Sequence, residues 1–249
     1  MNSIAYDHEF YARQVEGSKR TARIVAGLLT DLLAPRSVVD LGCGMGGWLK
    51  AFQDAGAEKV RGFDGDYIDR SRLLIDAADF EVADLSKPLR LPDRFDLAVS
   101  LEVAEHIDPG SAAIFVESLV SASDIVLFAA AIPFQGGTGH VNEQWQSYWA
   151  GLFEQHGYAA VDFVRPKLWN KPDLPYWYAS NILMYAAPRA MERAPGLSAF
   201  ASDRTGLPLD VVHPRAYEAL VDPDRMSMRR AGRNLGRAIR RRLGSRRTS

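Results

Sequence analysis

The stretch Ser37 to Gly47, SVVDLGCGMGG, constrains this chain more than any other. It reads as a buried strand, Val38-Val39-Asp40-Leu41, running into a glycine-rich turn, and WLKAFQDAG behind it carries a helix signal. Strand, glycine turn and helix open a βαβ unit that receives a nucleotide-like ligand. The glycines permit backbone angles that a Cβ forbids and let a ligand lie against the main chain. With 249 residues, the chain suffices for one large α/β domain, or for one domain and a small appendage.

The rest of the chain alternates in the same way. Residues 7–34 read as helical, from Tyr11, Val15, Ile24, Leu28 and Leu32, with Gly17-Ser18 as a break and Pro35 as a stop. Strands are expected at 37–41, 59–63, 79–83, 95–101, 124–131, 159–164 and 180–187. Helices are expected near 46–55, 67–74 and 110–120, and a further one carries Trp145, Trp149 and Phe153 on one buried face. Only the proline- and aromatic-rich segment PKLWNKPDLPYWY separates strands six and seven. A parallel crossover needs a helix, so strand seven is expected to return antiparallel. The fold class is α/β: a Rossmann-like, doubly wound sheet of seven strands, mostly parallel with an antiparallel strand seven, and helices on both faces. The chain divides into an N-terminal helical segment (1–36), a core (37–188), an extension packed on it (189–224) and a basic tail (225–249).

In an open parallel sheet the ligand sits at the carboxyl ends of the strands. Strand one ends at Gly42, Cys43 and Gly44. Strand two ends at Asp64-Gly65, strand three at Ala83-Asp84-Leu85, and strand four at Leu101-Glu102. Asp64 lies about twenty residues past the glycine turn, a spacing that suits a carboxylate on ribose hydroxyls; the alternative for Asp64 and Asp84 is capping of the next element. Asp40 puts an acid just before the glycines, where a pyrophosphate would repel it, and so favours a ligand with a positive end.

Taken together, VVDLGCGMGG, VRGFDG, Ala83-Asp84-Leu85 and FDLAVSLEVAEHI resemble the class I methyltransferases that use S-adenosylmethionine, over roughly residues 37–188. The resemblance implies S-adenosylmethionine as cofactor and S-adenosylhomocysteine as product. It places Asp40, Gly42 and Gly44 around the methionine end, Asp64 on the ribose and Asp84 near adenine. The N-terminal helix, with Tyr6, His8, Phe10 and Tyr11, then has the place of a lid, with core packing as the alternative for its aromatic residues.

The reacting side is read from the loops. His140, in the glycine-rich loop after strand five, is the first candidate general base, with Glu143 to orient it; a surface turn and a helix start are the plain alternatives. His106 either faces the substrate or caps the following helix. Glu102 and Asn181 either reach into the pocket or bond local backbone. Trp169 to Tyr178 form a loop able to cover the pocket, whereas Cys43 is a small turn residue with no nucleophilic role. No histidine pair has ligand spacing with a third partner nearby, so the spacing alone points to no metal site. The expected reaction is methylation of a hydroxyl, or an amine, of a small molecule such as a sugar or glycosylated metabolite. A nicotinamide oxidoreductase and a non-catalytic cofactor-binding module are the competing classes.

Charge matters chiefly at the end of the chain. The net charge is −1, yet ten arginines follow residue 224 with no acid among them, which leaves −11 for everything before. Such a tail suits a solvated extension, or an amphipathic contact with an anionic membrane or a partner. Nucleic acid is disfavoured because the body is acidic. The oligomeric state is open. The N-terminus has acids where a signal peptide needs an apolar core, and the longest apolar run, 125–132, is well short of a membrane span, so a cytoplasmic protein is expected.

Overall fold

The computed structural model describes residues 3–201, 206, 208–221, 232, 235, 236 and 239, with side chains from Glu16 onward. The side chains proposed as a lid, and nearly all of the basic tail, lie outside the described residues. The chain forms two compact units, 1–211 and 212–249. In the second, a helix spans Pro214–Val221, and its first turn is tied by the Ala216 amide donating to the His213 carbonyl at 2.8 Å.

The first unit is built on one seven-stranded sheet. Its strands are β1 (Ser37–Leu41), β2 (Lys59–Asp64), β3 (Phe80–Val82), β4 (Leu97–Leu101), β5 (Ile125–Ala129), β6 (Ala159–Val161) and β7 (Leu183–Ala186). They lie in the order β3-β2-β1-β4-β5-β7-β6. β1 pairs in parallel with both β2 and β4, and β7 runs antiparallel between β5 and β6. This is the expected doubly wound sheet. The order reverses between β1 and β4, and a ligand crevice opens where the chain leaves the two strands in opposite directions.

Period-two alternation makes the two cores. Val38 in β1 packs in the core with Ala22, Val25 and Leu29 of helix α1 (Ser3–Leu33) and Leu49 and Phe52 of α2 (Gly47–Asp54). Val39, its neighbour, points to the other face. There it packs with Phe115 and Leu119 of α3 (Ala112–Ala122) and Trp149 and Phe153 of α4 (Gln146–Glu154). Both faces of β4 and β5 are buried, which is why these strands are almost wholly apolar.

Four expectations are corrected. α1 is one helix without a break at Gly17: a Cβ there would meet Pro175 Cγ at 2.9 Å, so the glycine serves close packing within the helix. The polar helix at 67–74 shrinks to a 3₁₀ turn at Arg70–Arg72. The Asp69 and Asp76 side chains accept from the Ser71 and Ala78 amides, which favours turns over a helix. Trp145 precedes α4 instead of lying on its buried face and is 39% exposed, whereas Trp149 and Phe153 are core. The segment before β7 holds two short helices, α5 (Arg165–Leu168) and α6 (Tyr176–Asn181).

Beyond β7 come α7 (Pro188–Arg193) and α8 (Pro195–Ser198), after which Ala201 bridges to Val161 at the sheet edge. Asp124, just before β5, is held by Arg94, Arg189 and Arg193, the last at 2.9 Å. Burial pushes its carboxyl up, but the Arg189 and Arg94 guanidiniums outweigh burial and hold it below the usual range. No helix among the described residues is long and apolar enough to cross a membrane.

Candidate active site

A cleft of about 810 Å³ opens at the carboxyl ends of β1, β2, β3 and β4. Gly42 and Gly44 form its floor with φ of +94° and +54°. At Gly42 a Cβ would lie 2.3 Å from Val103 Cγ2, whereas a Cβ at Gly44 would meet nothing within 4 Å, so that side of the main chain is open to a ligand. The Gly42 amide donates to the Phe63 carbonyl at 2.7 Å, which fixes the turn to the end of β2.

Asp64 is the hinge of this wall. Its Oδ2 accepts from the Gly44 amide and its Oδ1 from the Gly65 amide, each at 2.7 Å, and Tyr67 donates its hydroxyl to the same Oδ1. The Tyr67 ring lies over Gly65 while 79% exposed. Burial of the hydroxyl and its bond to Asp64 push the phenol up to about 12. Tyr67 was not foreseen from sequence; its only signal is its position three residues past Asp64.

Asp84, Ala83 and Leu85 line the opposite side of the cleft. Ser86 donates to Asp84 from its hydroxyl at 2.5 Å and its amide at 3.1 Å, and Lys87 pairs with it at 2.9 Å. The Ser86 hydroxyl, then Lys87, hold its carboxyl down to about 2. The turn reading of Asp84 is therefore present, on a residue that still faces the cleft.

Asp40, Cys43 and Leu101 are buried and do not line the cleft. Asp40 is 2% exposed, and burial, then the charge of Asp64, push its carboxyl well up. Neither Asp40 nor Asp64 has an ion-pair partner among the described residues. Two adjoining acids without a cation, beside a glycine floor, suit a ligand that brings positive charge. Burial raises the Cys43 thiol too, which leaves it inert.

The β4 side carries a second polar group. Glu102, at a positive φ of 58°, accepts from Gln135 Nε2 at 3.2 Å and Asn181 Nδ2 at 3.4 Å. Strain of this kind in a non-glycine residue collects at functional sites. Glu105 follows in a 3₁₀ turn, 0% exposed; neither of its carboxylate oxygens has a donor in full hydrogen-bond geometry, and the Glu102 carboxyl and the Ala131 backbone lie against it. Its carbonyl accepts the Val141 and Asn142 amides at 2.9 and 3.0 Å, which draws the glycine-rich loop over β4. Burial pushes Glu102 and Glu105 up, and the charge of Glu102 pushes Glu105 further.

That loop delivers His140 beside His106, with ring centroids 4.9 Å apart and planes nearly perpendicular. His140 Nδ1 lies 3.0 Å from Glu143 Oε1, and its Nε2 lies 3.9 Å from Glu105 Oε1. Glu143 also accepts the Phe134 and Gly136 amides, so one carboxylate shapes the loop and holds the imidazole. His106 lines the cleft, with Nδ1 3.3 Å from the Gly139 carbonyl, and burial, then His140, lower its pKa. It does not cap the next element; Asp108 does that, accepting from the Gly110 amide at 2.8 Å. His140 and Glu143 stand behind His106 and do not line the cleft. Trp169 to Tyr178 do not line it either: Trp177 and Tyr178 pack on the α1 and α2 side, Tyr178 edge-on to Trp48 at 5.6 Å.

One ligand atom from each of Glu105, His106 and His140 lies within 4.8 Å of the others. Sequence spacing hid this group, because the β4–β5 register and the loop tie bring its members together. Gln135 was also missed; its signal was its place in the same loop.

A methyltransferase-domain family matches residues 11–162. The chain belongs to the methyltransferase-domain family. Solved methyltransferases share its fold. ChlM, the magnesium protoporphyrin IX methyltransferase of Synechocystis PCC 6803 with bound SAH, is 19% identical over 75% of this chain and 95% of its own, with a TM-score of 0.50. DesVI of Streptomyces venezuelae is 14% identical over 75% and 99%, with a TM-score of 0.53. The methyltransferase domain of the bacterial CtHen1-C is 18% identical over 69% and 98%, with a TM-score of 0.51. No curated protein matches. The methyltransferase resemblance read from the sequence is thus borne out, and the fold is the one that solved methyltransferases share. The matched region takes in much of α1 and stops before β7, where the resemblance had been placed from β1 through β7.

Proposed function

We propose that this methyltransferase acts on a hydroxyl group of a small molecule. The observation that carries the reading is the sharing of one cleft by two groups, the glycine floor with its acids on one side and His106 with the buried cluster behind it on the other. When bound, S-adenosylmethionine supplies an electrophilic methyl group on a sulfonium that is already a good leaving group. The chain's own residues bind and align. Gly42 and Gly44 leave room for the methionine end, and Asp40 beneath them favours its positive charge. Asp64 and Gly65 take the ribose, with the Tyr67 hydroxyl giving up its place on Asp64. Ala83, Asp84 and Leu85 border the base.

The acceptor hydroxyl belongs at the other end, against His106. An imidazole pair backed by Glu143 suits a group that must lose a proton, whereas an amine needs only a free lone pair. Alignment of acceptor and methyl can contribute roughly 7–11 kcal/mol to lowering the barrier. Sugars and glycosylated metabolites fit the neutral, polar character of the loop.

The test is calorimetry with S-adenosylhomocysteine and NAD, followed by labelled methyl transfer from S-adenosylmethionine to a panel of hydroxyl- and amine-bearing metabolites. Asp64→Ala should weaken S-adenosylhomocysteine binding by at least about tenfold, the loss of a charge-assisted hydrogen bond. His140→Ala should lower turnover and spare that binding. Transfer confined to amines would overturn the hydroxyl assignment.

A further inference from the structure

We propose that Glu105, His106 and His140 hold a divalent transition-metal cation at the acceptor end of the cleft. Three observations carry it. The first is the juxtaposition of one carboxylate and two imidazoles, with ligand atoms within 4.8 Å of one another. The second is that Glu105, 0% exposed, leaves both carboxylate oxygens without a donor in full hydrogen-bond geometry. A buried carboxylate with no well-placed donor and a second carboxyl, Glu102, against it is costly to fold around unless a cation or a proton completes it.

The third is the setting of the rings. His140 Nδ1 is bonded to Glu143, which fixes its proton there and leaves the Nε2 lone pair toward Glu105. His106 Nδ1 faces the Gly139 carbonyl, which can only accept, so its Nε2 lone pair is likewise free. A carboxylate or carbonyl behind each imidazole is the arrangement that orients metal-ligating histidines. Gly137 completes the fit, since a Cβ there would lie 2.0 Å from His140 Nε2.

Two nitrogens and a carboxylate favour a first-row cation such as Mn²⁺ or Zn²⁺ over Ca²⁺. Three protein ligands leave coordination positions open, and His106 turns them to the cleft. An acceptor hydroxyl bound there would be acidified by the cation. The residues read as a base would then act as ligands. That use of the cation rests on the methyltransferase reading; its binding does not.

The experiment uses the full-length chain freed of metal by a chelator. Mn²⁺ and Zn²⁺ are titrated separately by calorimetry, and Mn²⁺ also by electron paramagnetic resonance; circular dichroism checks folding. About one cation per chain is expected. His106→Gln and Glu105→Gln should each weaken it tenfold or more, and Glu143→Gln roughly 10–100-fold. His156→Gln, on the surface after α4, should leave it unchanged. Should Glu105→Gln fail to fold, the exposed His106→Gln decides alone. Absence of stoichiometric binding by the folded protein, or binding indifferent to these variants, overturns the proposal. S-adenosylhomocysteine binding by the metal-free chain is measured alongside. Its retention without a cation sinks the cation alone; its loss with the cation retained sinks the methyltransferase reading alone.

Discussion

At the scale of single residues, the proposed ribose contact of Asp64 competes with a side chain already bonded to it. The Tyr67 hydroxyl donates to the oxygen proposed above for a ribose hydroxyl, from a ring that is mostly in solvent. Tyr67→Phe removes the competing donor. S-adenosylhomocysteine should then bind more tightly, by up to about tenfold, equivalent to about 1.4 kcal/mol. Calorimetry checks this, and weaker binding would mean that Tyr67 holds the ligand. The place of Asp64 at the end of β2, in the cleft, was legible in its spacing from the glycines. The role of Tyr67 was not, because an exposed tyrosine in a loop has many equivalent uses until the backbone directs it.

At the scale of elements, the turn after β1 is the least replaceable piece of backbone. Gly42 combines a left-handed φ with a Val103 side chain where a Cβ would go. Gly42→Ala should lose about 1–3 kcal/mol from the backbone alone, and more from the clash. Urea unfolding would measure it, and a loss near zero would show that the turn can re-form around a side chain. Strand, glycine turn and α2 were all legible, because local chemistry dictates them. The 67–74 region was not, since its aspartates bond their own backbone in a way that helical periodicity does not register. The cluster of Glu105, His106 and His140 depends on sheet register and on one loop amide pair, which no spacing rule reaches.

At the scale of the whole first unit, the antiparallel β7 followed from the pattern of crossovers, whereas the strand order came only with the structure. At the edge away from the cleft, Asp124 ties the start of β5 to Arg94 and to Arg189 and Arg193 of α7. Because its folded pKa is depressed, its contribution is full above the unfolded value of 3.8 and fades as pH falls through the lower folded value. Asp124→Asn should therefore lower stability by about 1 kcal/mol at pH 7, modest because Arg189 and Arg193 are exposed. The gap from the parent chain should close as the pH drops below about 4. Urea unfolding at a series of pH values tests the sign; a gap that widens in acid would refute it.

The bare carboxylate of Glu105 has a consequence for how this protein can change. In the metal-free chain, Glu105→Leu should raise stability by about 1–3 kcal/mol, because an uncompensated buried acid gives way to an apolar side chain. A calorimetric scan should show a melting point several degrees higher. The same substitution should silence the site. Selection for robustness alone would remove this residue, so its persistence in a lineage would be a running record that the cleft is still in use.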